Sequence, residues 1–188
     1  MLTFLSITPV VKAQKDAPFS DEMKKEMCNK VKAAAQHAWK GYKDYAWGAD
    51  DLKPLTREPK IWYRKSMLMT PVDAFDTFTL LGLKEEAEEA KEMILSRLSF
   101  NVDNDVQVFE ITIRLLASLL TAYELDGNKK FLSLAKDLGD RLMPAFNTIT
   151  GMPNIYLFSN QVNGASSFIY FHHSFFGCSK INVIACKF

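Results

Sequence analysis

The 188-residue chain carries 23 Lys+Arg against 22 Asp+Glu, a formal net charge of +1, and 48% of its residues are hydrophobic. That fraction supports a buried core and excludes global disorder. The charge balance argues against nucleic acid as a partner, since dedicated binders show a basic excess or stripe, and no run reaches the roughly 18 apolar residues of a membrane-spanning helix.

Three cysteines, Cys28, Cys178 and Cys186, make neither a disulfide framework nor a metal-ligand spacing. Met1 to Ala13 is an apolar stretch ending in Val11-Lys12-Ala13, which resembles a signal-peptidase site before Gln14. It lacks a basic start and Pro9 interrupts it, so a leader and a misassigned start both remain open. Membrane association is expected only through this N-terminus.

From Ser20 to Met143 the pattern is helical. Ser20 can cap a helix with Asp21 and Glu22 at its positive end. Met23, Met27, Val31, Ala34, Ala38, Tyr42 and Tyr45 then recur as one apolar stripe that stops near Gly48. Asp50 to Ser66, with Pro54 and Pro59, reads as a loop anchored by Trp62 and Tyr63. Thr70 is placed to cap a short helix with Pro71 in its first turn, ending near Gly82. Lys84 to Leu98 is helical, with Ala87, Ala90, Met93, Ile94 and Leu98 on one side. Asp105 is expected to open a helix from about Val106 to Leu125, and Asp126-Gly127-Asn128 turns the chain. Lys129 to Met143 follows, with Phe131, Leu134, Ala135, Leu138 and Leu142 facing inward. Helices joined by short turns predict an all-α architecture of antiparallel neighbours.

Beyond Pro153 the composition changes to Phe, Ser and Asn without an acidic residue. His172 and His173 lie there beside two cysteines, in no metal-ligand spacing. Residues 154–188 are therefore expected to be an unrelated, poorly ordered tail.

The helix over 106–125 is the informative one. Glu110, Arg114, Ser118 and Thr121 form a single polar stripe among Val108, Phe109, Ile111, Ile113, Leu115, Leu116, Leu119 and Leu120. The stripe can face water, with Glu110 and Arg114 as a surface pair, or line a polar cavity; periodicity alone favours water. Asp73 and Asp76 likewise fit two roles. They can complement the helix dipole, or face a cavity as the paired carboxylates that glycosidic chemistry requires.

Several segments resemble, in order, the class I α-1,2-mannosidases of glycoside hydrolase family 47. They are His37–Gly48 with Asp51-Leu-Lys-Pro-Leu55, Val72-Asp-Ala-Phe-Asp-Thr77 with Leu81-Gly-Leu83, and Val108-Phe-Glu-Ile-Thr-Ile-Arg114. Leu138-Gly-Asp-Arg-Leu142, Ala145-Phe-Asn147 and Thr150-Gly-Met-Pro153 continue the series. The Trp62–Thr70 segment departs from the glycine-rich version of the family.

The resemblance implies a partial (α/α) barrel over residues 20–153, the first few hairpins of an (α/α)7 barrel. It implies an enzyme that removes α-1,2-linked mannose from N-glycans with inversion, with a mannose-containing oligosaccharide as partner and calcium as cofactor. Glu110 takes the role of catalytic acid, and Arg114, Asp73 and Asp76 become substrate-site residues. The stripe then points inward. The family's other catalytic carboxylates and its calcium-binding threonine find no counterpart, so no metal ligand is expected in this chain. We therefore expect the N-terminal part of a catalytic domain, inactive alone. Two alternatives are a mannose-glycan-binding module, like the degradation-enhancing relatives, and an all-α scaffold without a sugar site. The location implied is the secretory pathway of a eukaryote, or the periplasm or exterior of a bacterium.

Overall fold

A computed structural model describes residues 20–157. The candidate leader at 1–13 and the sequence from 158 onward lie outside the described residues. The first helix, α1 (Asp21–Ala46), begins as expected: the Ser20 hydroxyl accepts the Met23 N–H at 3.3 Å, with Asp21 and Glu22 in the first turn. Only its second half is buried. Of the expected stripe only Tyr42 is buried: Met23, Met27, Val31, Ala34, Ala38 and Tyr45 stay exposed, and the buried face runs through Trp39, Tyr42 and Ala46. The Trp39 ring stacks on Tyr42 and meets Phe78 edge-on. The Trp39 indole N–H donates to Glu89 at 2.8 Å, and Lys43 pairs with the same carboxylate.

The expected loop over 50–66 contains a short antiparallel hairpin, β1 (Asp51–Lys53) with β2 (Glu58–Lys60), in which Leu52 opposes Pro59. Helix α2 (Met69–Leu81) starts before Thr70, so Thr70 is not its cap. Leu68 holds the cap position in the left-handed region, and the Thr70 hydroxyl donates instead to the Asp50 carbonyl at 2.7 Å. Gly82, at φ +70°, ends α2 in a conformation a side chain would strain. Helix α3 (Lys84–Arg97) buries Ala90, Met93 and Ile94.

The next helix differs from expectation at its start and in its middle. Val106 and Gln107 form a strand, β3, not the first helical turn, so the cap position falls to Gln107 and not to Asp105. The helix then runs as α4 (Val108–Ile111), a π-helical segment (Thr112–Leu116) and α5 (Ala117–Asp126). After Gly127 the Asn128 side chain caps α6 (Lys129–Leu142), which continues into a 3-10 turn (Met143–Phe146). The chain does not leave the fold after Pro153. Asn154 N–H donates to the Ala145 carbonyl, and β4 (Tyr156–Leu157) pairs with β3, burying Leu157. The boundary expected at 153 therefore falls too early, because residues 154–157 supply backbone partners that β3 requires.

Helices α2 and α3 pack as one hairpin and α5 with α6 as another, with α2 and α5 forming the contact between them. The core lies along that contact. Ile111, Leu115, Leu119 and Phe131 are fully buried, and the Phe131 ring lies 5.2 Å from that of Phe75. Among the described residues no helix is long and apolar enough to cross a membrane.

Phe131→Ala should cost about 3–5 kcal/mol by urea denaturation, because it opens a cavity where the two hairpins meet. Leu55→Ala, at a tip position 98% exposed, should change stability by no more than about 0.5 kcal/mol. Equal losses at the two positions would contradict this placement of the core.

Candidate active site

Helix geometry sets Glu110 and Arg114 one turn apart, and the packing of α2 against the π-helical segment brings Asp73 across to Arg114. The Arg114 Nε donates to Glu110 Oε2 at 2.8 Å, and its terminal nitrogen donates to Asp73 Oδ2 at 3.0 Å. One guanidinium thus joins two carboxylates through charge-assisted hydrogen bonds. Its carbon also lies 5.3 Å from the centre of the Trp62 ring, within cation–π range. The three side chains of the bridge are a quarter to two fifths exposed, so solvent screens their pairing.

Burial pushes the Asp73 carboxyl above its ordinary value; Arg114 opposes this, the like charge of Asp76 adds to it, and the Ser118 hydroxyl opposes it. The Arg114 guanidinium is held above its ordinary value, first by the Glu110 hydrogen bond and then by Asp73. Asp76 stands apart from the bridge: its hydrogen-bond partner is the Thr77 hydroxyl at 3.3 Å, and it reaches Asp73 as a like charge. Thr121, the last member of the expected stripe, is exposed.

A cleft of about 500 Å³ opens beside the bridge, its walls including Trp39, Tyr42, Asp50, Trp62, Asp73 and Arg114. Aromatic faces with a few convergent polar groups are the usual lining of a small-molecule site. Glu110 and Asp76 do not line it. Burial pushes the Tyr42 hydroxyl up to about 12, so it serves there as a hydrogen-bonding group, donating to the Ala49 carbonyl at 2.7 Å.

Asp50 is a residue the sequence reading did not single out. It is completely buried, and its carboxylate accepts the N–H groups of Trp62 (3.0 Å), Met67 (2.6 Å) and Met69 (3.3 Å) and the Ser66 hydroxyl (3.1 Å). The available signal was an acidic residue just past the helix-ending Gly48, ahead of a long irregular segment whose N–H groups need acceptors. Among the described residues no three acidic, histidine or cysteine side chains form a metal-ligand group. Calcium takes six to eight oxygens, whereas Glu110 and Asp73 each give one oxygen to Arg114, so the described residues do not fit that ion.

Fold and site together define an α-hairpin protein in which an acid–guanidinium–acid bridge flanks an aromatic-walled cleft. The same arrangement of helices occurs in the alpha-1,2-mannosidase from Trichoderma reesei, with a TM-score of 0.66 and 28% identity over 72% of this chain and 31% of that one. A mannosyl-oligosaccharide 1,2-alpha-mannosidase of Arabidopsis thaliana is 45% identical over 154 residues, 82% of this chain and 27% of the relative. The human endoplasmic reticulum mannosyl-oligosaccharide 1,2-alpha-mannosidase is 49% identical over 117 residues, 62% of this chain and 16% of the relative. The model of glycosyl hydrolase family 47 matches residues 34–170, continuing past Pro153. The chain belongs to glycosyl hydrolase family 47. It spans about a quarter or less of the length of these two curated relatives.

The raised Asp73 carboxyl has a definite sign in stability. Its folded value lies above the ordinary 3.8, so the fold favours the protonated form. The contribution is fully present below 3.8 and is lost as pH rises through the folded value. Asp73→Asn should therefore remove a fall in stability just above pH 3.8, read as a more positive slope of melting temperature against pH. An unchanged slope would remove Asp73 as its source.

Proposed function

We propose that this chain forms one wall of the active site of a glycoside hydrolase that removes α-1,2-linked mannose from N-glycans. The observation that carries this reading is the Glu110–Arg114–Asp73 bridge beside the cleft, in a chain of this family. A glycosidic bond resists cleavage until its leaving oxygen is protonated. We assign that proton to Glu110, which would donate it as the C–O bond breaks, with water adding to the opposite face of the sugar to give inversion. Arg114 and Asp73 bind sugar hydroxyls, and Asp76 acts through its charge on Asp73. Arg114 occupies Glu110 Oε2, so the leaving oxygen must meet the other carboxyl oxygen, displace Arg114 or be reached through a water.

Inversion needs an acid and a base on opposite sides of the bond. Glu110 and Asp73 share one guanidinium, so together they supply one side. We assign the base, and the calcium that the resemblance implies, to the length of the relatives that this chain does not span. Calcium there would add a Lewis-acid centre at the sugar. The relatives named for the endoplasmic reticulum support a place in the secretory pathway, with mannose-containing oligosaccharide as the partner.

The 188 residues alone, given Man-α-1,2-Man and calcium, should show binding without turnover. A chimera in which residues 34–157 replace the matched part of the Arabidopsis relative should hydrolyse it. Glu110→Gln in that chimera should lower kcat by about 10²–10⁴-fold, the usual worth of a positioned acid. A chimera that keeps its full rate with the Glu110→Gln substitution would sink the assignment of the acid, and turnover by the isolated chain that Glu110→Gln abolishes would overturn the placing of the base outside this chain.

A further inference from the structure

The residues of the bridge do not explain what holds Arg114 between its two carboxylates, since all three are partly exposed. Trp62 covers the guanidinium, yet it sits in the irregular segment between β2 and α2, where local structure fixes nothing. Its indole nitrogen is buried without a partner, so the ring is not secured by its own hydrogen bond. Its ring packs against the core with Lys60 over it at 5.5 Å, and its backbone is tied down by its N–H, which donates to Asp50 Oδ2 at 3.0 Å.

The other end of that segment is tied to the same residue. Asp50 Oδ1 accepts from Met67 and Met69, and the Asp50 carbonyl accepts both the N–H (3.0 Å) and the hydroxyl (2.7 Å) of Thr70. These contacts seat the first turn of α2, the helix that carries Asp73 one turn later. Asp50 therefore fixes both the aromatic face over Arg114 and the helix holding Arg114's second carboxylate.

We infer that Asp50 is a positioning residue for this site, acting on Arg114 through Trp62 and on Asp73 through the start of α2. The inference rests on the reading of the bridge as the active-site wall, but its physical content is the relay from Asp50 to Arg114. A carboxylate is required because it offers acceptors on both oxygens. In Asp50→Asn the amide oxygen can keep the Met67, Met69 and Ser66 side, while its NH₂ opposes the Trp62 N–H, donor against donor.

The test uses the full 188-residue chain, isotopically labelled, and reads the Arg114 Nε–H resonance and the Asp73 carboxyl titration by NMR. Asp50→Asn should shift the Arg114 signal and raise the Asp73 midpoint, because a loosened guanidinium opposes burial less. Trp62→Leu keeps the backbone N–H but removes the ring, and should shift both readouts in the same direction. Ser66→Ala removes a donor to Asp50 without touching Trp62; it should lower the melting temperature and leave both readouts in place. A folded Asp50→Asn chain with unchanged signals would overturn the relay. So would Trp62→Leu with an unmoved Asp73 midpoint, which decides the matter even where Asp50→Asn does not fold. Ser66→Ala moving both readouts as far as Asp50→Asn would reduce Asp50 to general stability and overturn it as well. Methyl α-mannoside titrated into the unaltered chain is the separate arm: failure to bind counts against the proposed function and leaves the relay standing.

Discussion

The structure around the cleft depends on one buried carboxylate. A carboxylate removed from water is costly unless hydrogen bonds replace its hydration, and Asp50, fully buried, has no ion-pair partner among the described residues. Three backbone N–H groups and one hydroxyl replace the water. The arrangement works in both directions. Residues 62–69 have no ladder or helix to satisfy their own N–H groups, and Asp50 supplies acceptors that secondary structure does not. Asn104 does the same from the other side, its amide oxygen accepting the N–H groups of Arg64 and Lys65 and its NH₂ donating to the Lys65 carbonyl. Two buried polar side chains thus satisfy the backbone of a segment whose apolar side chains, Met67, Leu68 and Met69, are in the core.

Arg114 is the second organising group, and it differs from Asp50 in exposure. Because its side chain and those of its partners reach solvent, the bridge contributes modestly to stability, as screened pairs do. Its importance is geometric. A planar guanidinium with several donors can meet two carboxylates and an aromatic face at once, which a lysine ammonium cannot do with the same orientation. Competition follows from the same contacts. Any hydroxyl that approached Asp73 from the cleft would meet an oxygen already hydrogen-bonded to Arg114 and compete with it.

How much of this the sequence displays varies with the length scale of the interaction. The inward faces of α3 and α6 follow from three- and four-residue spacing, and Ala90, Met93, Phe131 and Leu138 are buried as that spacing requires. Capping at Ser20 is local and equally legible. Helix α1 shows the limit of periodicity: of the stripe Met23, Met27, Val31, Ala34, Ala38, Tyr42 and Tyr45 only Tyr42 is buried, and the covered face runs instead through Trp39, Tyr42 and Ala46; a repeat marks a face without saying what covers it. The misplaced cap at Thr70 has a non-local cause. Its hydroxyl is drawn to the carbonyl of Asp50, twenty residues earlier, and a contact of that span leaves no local pattern. The motifs around Asp73, Glu110 and Arg114 point inward only through the resemblance to the family, since periodicity alone favours water. Asp50 lay within the matched stretch and still went unnoticed, since a residue that holds backbone N–H groups looks like any polar residue in a loop.

The polar stripe shows how a local distortion can straighten a row of side chains. In a regular α-helix, positions four apart drift by about 40° at each step, while positions eleven apart differ by only about 20°. On that geometry Thr121 belongs under Glu110, and Ser118 swings about 80° away. The structure has the opposite arrangement: Ser118 bears on Asp73, and Thr121 faces solvent. The π-helical segment at 112–116 lies between Glu110 and both of them. A turn closed from i to i+5 advances less per residue than an α turn, so it absorbs the drift of four-residue steps and carries every later position backwards around the axis. The Thr112 hydroxyl, bonded to the Val108 carbonyl at 2.7 Å, takes up an acceptor at the start of the widened stretch, where the backbone leaves its regular pattern. Glu110, Arg114 and Ser118 consequently line up toward α2 while Thr121 rotates out. The bridge to Asp73 is therefore a property of this widened turn as much as of the residue types, and a regular helix of the same sequence would present the same groups on a spiral.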